Sequence, residues 1–217
     1  MSSLFDQFIG NPIDWDNPLN MTRVFQILAE RNPEEMRTEI RASSIDPNEL
    51  VSIADLLVQF QGKDHAKVAW EEALRQFDTA PSRIAADVNL LNIKRNLCIA
   101  SLSSAPLESF RWISEEPQIA RDAPAIAIEL AESLRRANNY QEAELVLREV
   151  DAIPIETLAG LFPDAEAAAR EILELRISVR GTLCKRSIPA EPLAAFGWIT
   201  QELGIVQADP NLALGVA

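Results

Sequence analysis

His65 is the only histidine in the chain. It stands beside a predicted inter-helix turn, with no serine or cysteine near it in a nucleophile motif, and it reads as a solvated side chain. Glu71–Glu72, Glu115–Glu116 and the series Glu166, Glu171, Glu174 fall on polar helix faces and read as solvated too. No Glu-x-x-His pair marks a di-metal bundle site. No Cys-x-x-Cys pair suggests zinc, and no glycine-rich loop offers to cradle a phosphate. Cys98 and Cys184 lie in apolar-periodic surroundings; they read as buried thiols, with a disulfide as the alternative. These types and spacings predict no catalytic centre, no metal and no cofactor.

What they do offer is recognition. Asn89, Asn92 and Asn96 fall within about 60° of one another at the helical 100° per residue. Asparagine is a poor helix former, so three on one helix face ask for a reason. Each amide carries both donors and an acceptor and can pair with the C=O and N–H of an extended peptide. The plainer reading is an ordinary solvated face. Arg176, Arg180, Lys185 and Arg186 form a basic cluster, and Arg135–Arg136 a smaller one. In an acidic chain they are expected to pair internally with glutamates, or else to meet an acidic partner segment.

The elements that must hold these residues are helices. Residues 46–81 read as two helices folded back on each other. Asp46 can cap the first, Pro47 sits where its missing N–H is harmless, and Glu49 completes a capping box. Leu50, Ile53, Ala54, Leu57 and Phe60 recur as one apolar face, and Gly62 is placed to reverse the chain. The second helix carries Ala66, Ala69, Trp70, Ala73 and Phe77. Its small alanines allow close helix approach.

This stretch resembles the tetratricopeptide repeat, whose pattern is W-x2-L-G-x2-Y, then A-x3-F, then P. Here it reads Leu50-x2-Ile53-Ala54-x2-Leu57, then Ala66-x3-Trp70. A second copy reads Ala127-x2-Leu130-Ala131-x2-Leu134, then Ala143-x3-Leu147, then Pro154. The interval from Leu50 to Ala66 equals that from Ala127 to Ala143. The departures are the missing tryptophan at the first position, alanine for glycine at the packing position, and leucine for tyrosine. The resemblance implies an all-α fold, a right-handed stack of antiparallel helical hairpins whose first helices line a concave face. It implies inward polar positions at Asn48, Asp55 and Gln59 in the first copy and at Glu132, Arg135 and Arg136 in the second. The Asn89, Asn92, Asn96 stripe would lie between them.

The remaining chain fits that frame. Residues 19–45 read as two short helices, with Met21, Val24, Phe25 and Leu28 in the first, an Asn32–Glu35 capping box, then Met36 and Ile40. A long helix is expected over 82–103 and a short one starting at Pro106 and ended by Glu116–Pro117, followed by a connector over 118–122. A second hairpin over 123–151 turns at Asn138–Asn139. A helix from Asp164 should end at Gly181, and a last one from Pro189 or Pro192 should end at Gly204. Residues 1–18 read as an apolar arm capping the first hairpin, 19–204 as one helical domain, and 205–217 as a tail that is loosely attached or covers the final hairpin.

Composition narrows the function. The chain has 217 residues, 47% of them apolar, enough for a sizeable core. A formal net charge of −13 repels phosphate backbones and anionic membrane surfaces, so nucleic acid is not an expected partner. No apolar run is long enough for a membrane span. The N-terminus, with Asp6, Asp14 and Asp16, reads as no secretory signal, and a cytoplasmic location is expected. Three functions remain. The first is a non-catalytic adaptor that binds a protein or peptide on its concave face. The second is a small acidic secretion or assembly chaperone that masks an apolar client segment. The third, least favoured, is an all-helical enzyme.

Overall fold

The computed structural model describes residues 18–43, 45–60, 62–79, 90–153 and 164–212. Helix accounts for 83% of the described residues, and they contain no strand. Contacts divide the chain into two compact units, 1–100 and 101–217.

In the first unit, α1 is Pro18–Ala29, α2 Pro33–Ala42, α3 Pro47–Phe60, α4 Lys63–Thr79 and α5 Leu90–Ser101, the last residue of which falls in the second unit. Local hydrogen bonds explain where these helices begin. Asn32 Oδ1 accepts from the Glu35 N–H at 2.9 Å and Glu35 Oε2 accepts from the Asn32 N–H at 3.3 Å, a full capping box at α2. Asp46 Oδ1 accepts from the Asn48 N–H at 2.8 Å and Glu49 Oε2 accepts from the Asp46 N–H at 3.1 Å at α3. Gly62, with φ of +98°, reverses the chain between α3 and α4, a backbone shape that glycine adopts without a steric penalty.

The α3–α4 hairpin is the most intimate pairing in this unit; α2 packs on α4, and α1 on α3. Leu50, Ile53, Ala54, Leu57, Ala66, Ala69 and Ala73 are all fully buried. Each fully buried leucine or isoleucine contributes roughly 1.5–3 kcal/mol. The alanines let the two backbones close over them. The carboxylate of Glu72, read from sequence as solvated, is instead buried, with 1% of its side chain exposed. Arg37, Arg41 and Arg75 surround it. His65 is likewise half-buried rather than solvated; its Nε2 lies 2.7 Å from the Arg31 carbonyl and donates to it, tying α4 back to the end of α1.

In the second unit, α6 is Pro106–Glu115, α7 Gln118–Asp122, α8 Pro124–Arg136, α9 Tyr140–Asp151, α10 Ala165–Ser187, α11 Pro192–Gln201 and α12 Gly204–Ala208. The expected connector over 118–122 is therefore a short helix, because Ile119 and Ala120 bury against the hairpin. The α8–α9 hairpin is joined where expected. Asn138 takes a φ of +64°, its N–H bonds to the Arg135 carbonyl at 3.0 Å, and the Asn139 N–H bonds to the Leu134 carbonyl at 2.9 Å. This is a Schellman end. The bond from Asn139 to Leu134 has its register match in the first hairpin, where the Gly62 N–H bonds to the Leu57 carbonyl at 3.1 Å. Ala127, Leu130, Ala131, Leu134, Ala143 and Leu147 are fully buried, as are their counterparts in the first hairpin, apart from the nearly buried Trp70.

Two glycines behave differently from the sequence expectation. α10 does not stop at Gly181 but continues to Ser187, since Val179 just before it and Leu183 and Cys184 just after it are buried. Packing outweighs the roughly 1 kcal/mol helix penalty of one glycine. Gly204 does not end a helix but opens α12. A Cβ there would lie 2.7 Å from Ile177 Cδ1, so a side chain at this position would have to push the Ile177 side chain aside. Beyond it, Ile205 and Leu212 join Cys184 and Ala195 in a buried cluster, with Ile188, Trp198 and Ile199 packed against it. Cys98 and Cys184 are both free, buried thiols.

Expectations for the N-terminal arm, for residues 82–89 and for Pro154 lie outside the described residues.

Candidate peptide-binding cleft

Asp55 sits on the polar side of α3, two positions before the buried Leu57, and Gln59 lies one helical turn further on. Val58 stands between them and is 46% exposed although apolar. From α4 come Lys63 and Trp70, and from α5 come Asn96, Ile99 and Ala100. Together these side chains line an open cleft of about 270 Å³ in the first unit. Its floor is apolar, from Trp70, Ile99, Ala100 and Val58; its polar groups are a carboxylate, an ammonium and two primary amides.

The electrostatics of the cleft are set by burial. The pKa of Asp55 is raised above the ordinary aspartate range, chiefly because neighbouring atoms strip water from the carboxylate. The Trp70 indole pulls the other way and loses to burial. The Trp70 Nε1–H itself is buried and makes no hydrogen bond, so it falls short of closing one to Asp55. A buried donor left unpaired costs about 1–3 kcal/mol.

Asn92 is exposed and is not part of the cleft lining; Asn89 lies outside the described residues. Asn48 is exposed on the first turn of α3, where its Nδ2 donates to Asp46 Oδ1 at 2.9 Å. It serves the cap. The structure thus brings together Asp55, Gln59 and Asn96 and leaves Asn48 and Asn92 outside the cleft.

The positions of the second copy are spent on one another. Arg135 donates to Glu132 through Nε at 2.6 Å and Nη2 at 2.7 Å, and Arg136 Nε donates to Glu132 Oε1 at 2.8 Å. The Arg135 hydrogen bond, more than any other influence, holds the Glu132 pKa below the usual carboxylate range. The larger basic cluster also pairs inward. Arg176 bonds Asp151, Arg180 bonds Glu144 at 2.9 Å and Asp151 at 2.8 Å, and Lys185 bonds Asp209 at 2.8 Å. Arg186 instead stacks over the Tyr140 ring, 4.6 Å from its centroid. Both line a second, more polar cleft of about 340 Å³ with Asn138, Asn139 and Ser187.

Sequence reading missed Lys63, Val58, Ile99 and the cleft-facing part of Trp70. Val58 carried a usable signal, an apolar residue off the buried stripe and flanked by polar candidates. Lys63 and Ile99 carried none, because what they face is set by the packing of α3, α4 and α5.

Among the described residues no group of three or more His, Cys, Asp or Glu side chains is placed to hold a metal ion. No described helix is long and apolar enough to cross a membrane. No family model, curated protein or solved structure matches the chain.

Proposed function

We propose that this chain is a non-catalytic protein- or peptide-binding adaptor, built as a right-handed stack of tetratricopeptide-like hairpins, that grips an extended segment of its partner in the cleft between α3, α4 and α5. One observation carries the reading. Asp55 and Gln59, inward positions by the repeat resemblance, and Asn96, singled out for an amide that can pair with a peptide backbone, come from two helices and line one open cleft with an apolar floor. Primary amides supply a donor and an acceptor each, which is what a peptide plane presents in reverse. The matched alanine registers and turn bonds of the two hairpins support the repeat build. The proposed partner is a protein, and the proposed location is the cytoplasm. The test is to pan a random-peptide display library against the wild type and against the Asp55→Ala, Gln59→Ala, Asn96→Ala triple variant. Binders lost on the triple variant support the reading. Binders retained unchanged overturn it.

A second reading, an acidic assembly chaperone, has its own support in the second unit. α11 contains no charged residue, yet Leu193, Phe196 and the adjoining Leu203 are 87%, 55% and 68% exposed. Apolar surface left uncovered in this way marks an interaction site. A client that becomes insoluble when this protein is deleted, and whose recovery needs Leu193 and Phe196, would favour the chaperone over the adaptor.

A further inference from the structure

We infer that the α3–α4–α5 cleft selects a peptide carrying an apolar residue next to a lysine or arginine, the apolar side chain filling the floor and the cation pairing with Asp55. This rests on the peptide-binding reading above and names what the cleft would choose.

The volume comes first. At about 270 Å³ the cleft is smaller than the roughly 300–1,000 Å³ of small-molecule and cofactor sites. It suits one large side chain rather than a cofactor. The lining agrees: the indole face of Trp70, Ile99, Ala100 and the exposed Val58 offer a dry floor to an aliphatic or aromatic group.

Charge decides the neighbour. Elsewhere in the first unit arginines neutralise carboxylates, as around Glu72. Asp55 has no cation among the described residues, although Lys63 lines the same cleft. A carboxylate partly stripped of water beside an apolar floor gains from a cation delivered with that floor's occupant. The whole chain, at −13, draws basic segments toward it and repels acidic ones. Lys63 sits at the first residue of α4, at the positive end of the helix dipole, where its own ammonium is unfavourably placed.

The experiment pans a random-peptide display library on the full chain, then measures synthetic copies of the selected peptides by fluorescence anisotropy. The inference expects a consensus with an apolar residue beside Lys or Arg. Replacing that basic residue with alanine, or making Asp55→Asn, should each weaken binding by about tenfold. The two changes together should weaken it no further, and the salt dependence should flatten. Asp55→Lys should turn selection toward acidic peptides. A consensus without a basic residue, or Asp55→Asn binding like wild type while Gln59→Ala and Asn96→Ala weaken it, overturns this inference and leaves peptide binding standing. No selectable peptide at all overturns both. Far-UV circular dichroism of each variant guards against misfolding; Asp55 is exposed, and the conservative Asp55→Asn change adds no bulk.

Discussion

Arg41 donates to Glu72 Oε1 through both Nε, at 2.9 Å, and Nη2, at 2.6 Å. The acceptor is a carboxylate with only 1% of its side chain exposed, and the donor reaches it from α2, a helix outside the hairpin that carries Glu72. Arg37 and Arg75 complete the cage at 3.3 and 2.8 Å. The pair therefore fixes α2 against the α3–α4 hairpin. The arginines are partly exposed and can rehydrate when the carboxylate is removed. Glu72→Gln is accordingly expected to cost about 1–3 kcal/mol, less than breaking a fully buried pair. Urea unfolding checks it, with Glu71→Gln as a control expected to cost no more than about 1 kcal/mol.

The same cage makes a pH prediction. Burial pushes the Glu72 pKa up, but the hydrogen bonds from Arg41 and Arg75 outweigh it, and the folded-state pKa ends below the ordinary value. The folded protein thus holds this proton more weakly than the unfolded chain does. The stabilisation is complete above the unfolded glutamate pKa, about 4.3, and is lost as pH falls through the lower folded value. The urea midpoints of wild type and Glu72→Gln should differ at neutral pH and converge only as pH falls below the ordinary glutamate range. A gap that stays constant into acid contradicts the assignment.

What could be read ahead of the structure divides by distance along the chain. The caps at Asn32–Glu35 and Asp46–Glu49 close within three residues, so they were visible in the sequence. So were the buried alanine registers, because each hairpin's periodicity is local. Glu72 was misread because its partners Arg37 and Arg41 stand on another helix, more than thirty positions away. Gly181 was misread because a single glycine's propensity is smaller than the packing of Val179 and Leu183 around it. The cleft was half legible. Asp55, Gln59 and Asn96 showed as polar positions, while Lys63 and Ile99 belong to it only through the way α4 and α5 meet α3.

A buried arginine does for the second unit what the Glu72 cage does for the first. Arg180, 8% exposed, joins Glu144 of α9 to α10 and also reaches Asp151 and Glu202. Burial works to lower its pKa, but the hydrogen bonds it donates to Glu144 and Asp151 hold it above the ordinary arginine value. Arg180→Leu should leave Glu144 with Arg148 alone and destabilise by about 3–5 kcal/mol. Hydrogen exchange should then speed up in 165–187 and 140–151. Unchanged protection in these helices would show that the pair does not hold them.

The glycines give a paired test. Gly181→Ala places its Cβ 3.8 Å from Ile205 Cγ2, ordinary contact, and should stabilise α10 by about 0.5–1 kcal/mol. Gly204→Ala must displace Ile177, whose Cγ1 would lie at 3.0 Å, and should cost about 1 kcal/mol. Thermal melts of the two variants should move in opposite directions.

Ala66 is fully buried on α4 of the α3–α4 hairpin. Ala66→Leu should cost about 1–3 kcal/mol through overpacking. Ala143→Leu, its register match in the second hairpin, should cost a similar amount. If both substitutions are neutral by urea unfolding, the two hairpins do not share the alanine-mediated packing described.

The central claim is that a peptide binds against Trp70 in the α3–α4–α5 cleft. Titrating a display-selected peptide into isotope-labelled protein and following the Trp70 indole N–H by nuclear magnetic resonance tests it most directly. The account predicts that this resonance shifts as a side chain packs against the indole, together with the amides of Asn96 and Gln59, and that Asn96→Ala weakens the titration. Saturable binding that leaves Trp70 Nε1–H, Gln59 and Asn96 unmoved, with shifts instead around Tyr140 and Arg186 or along α11, would contradict it.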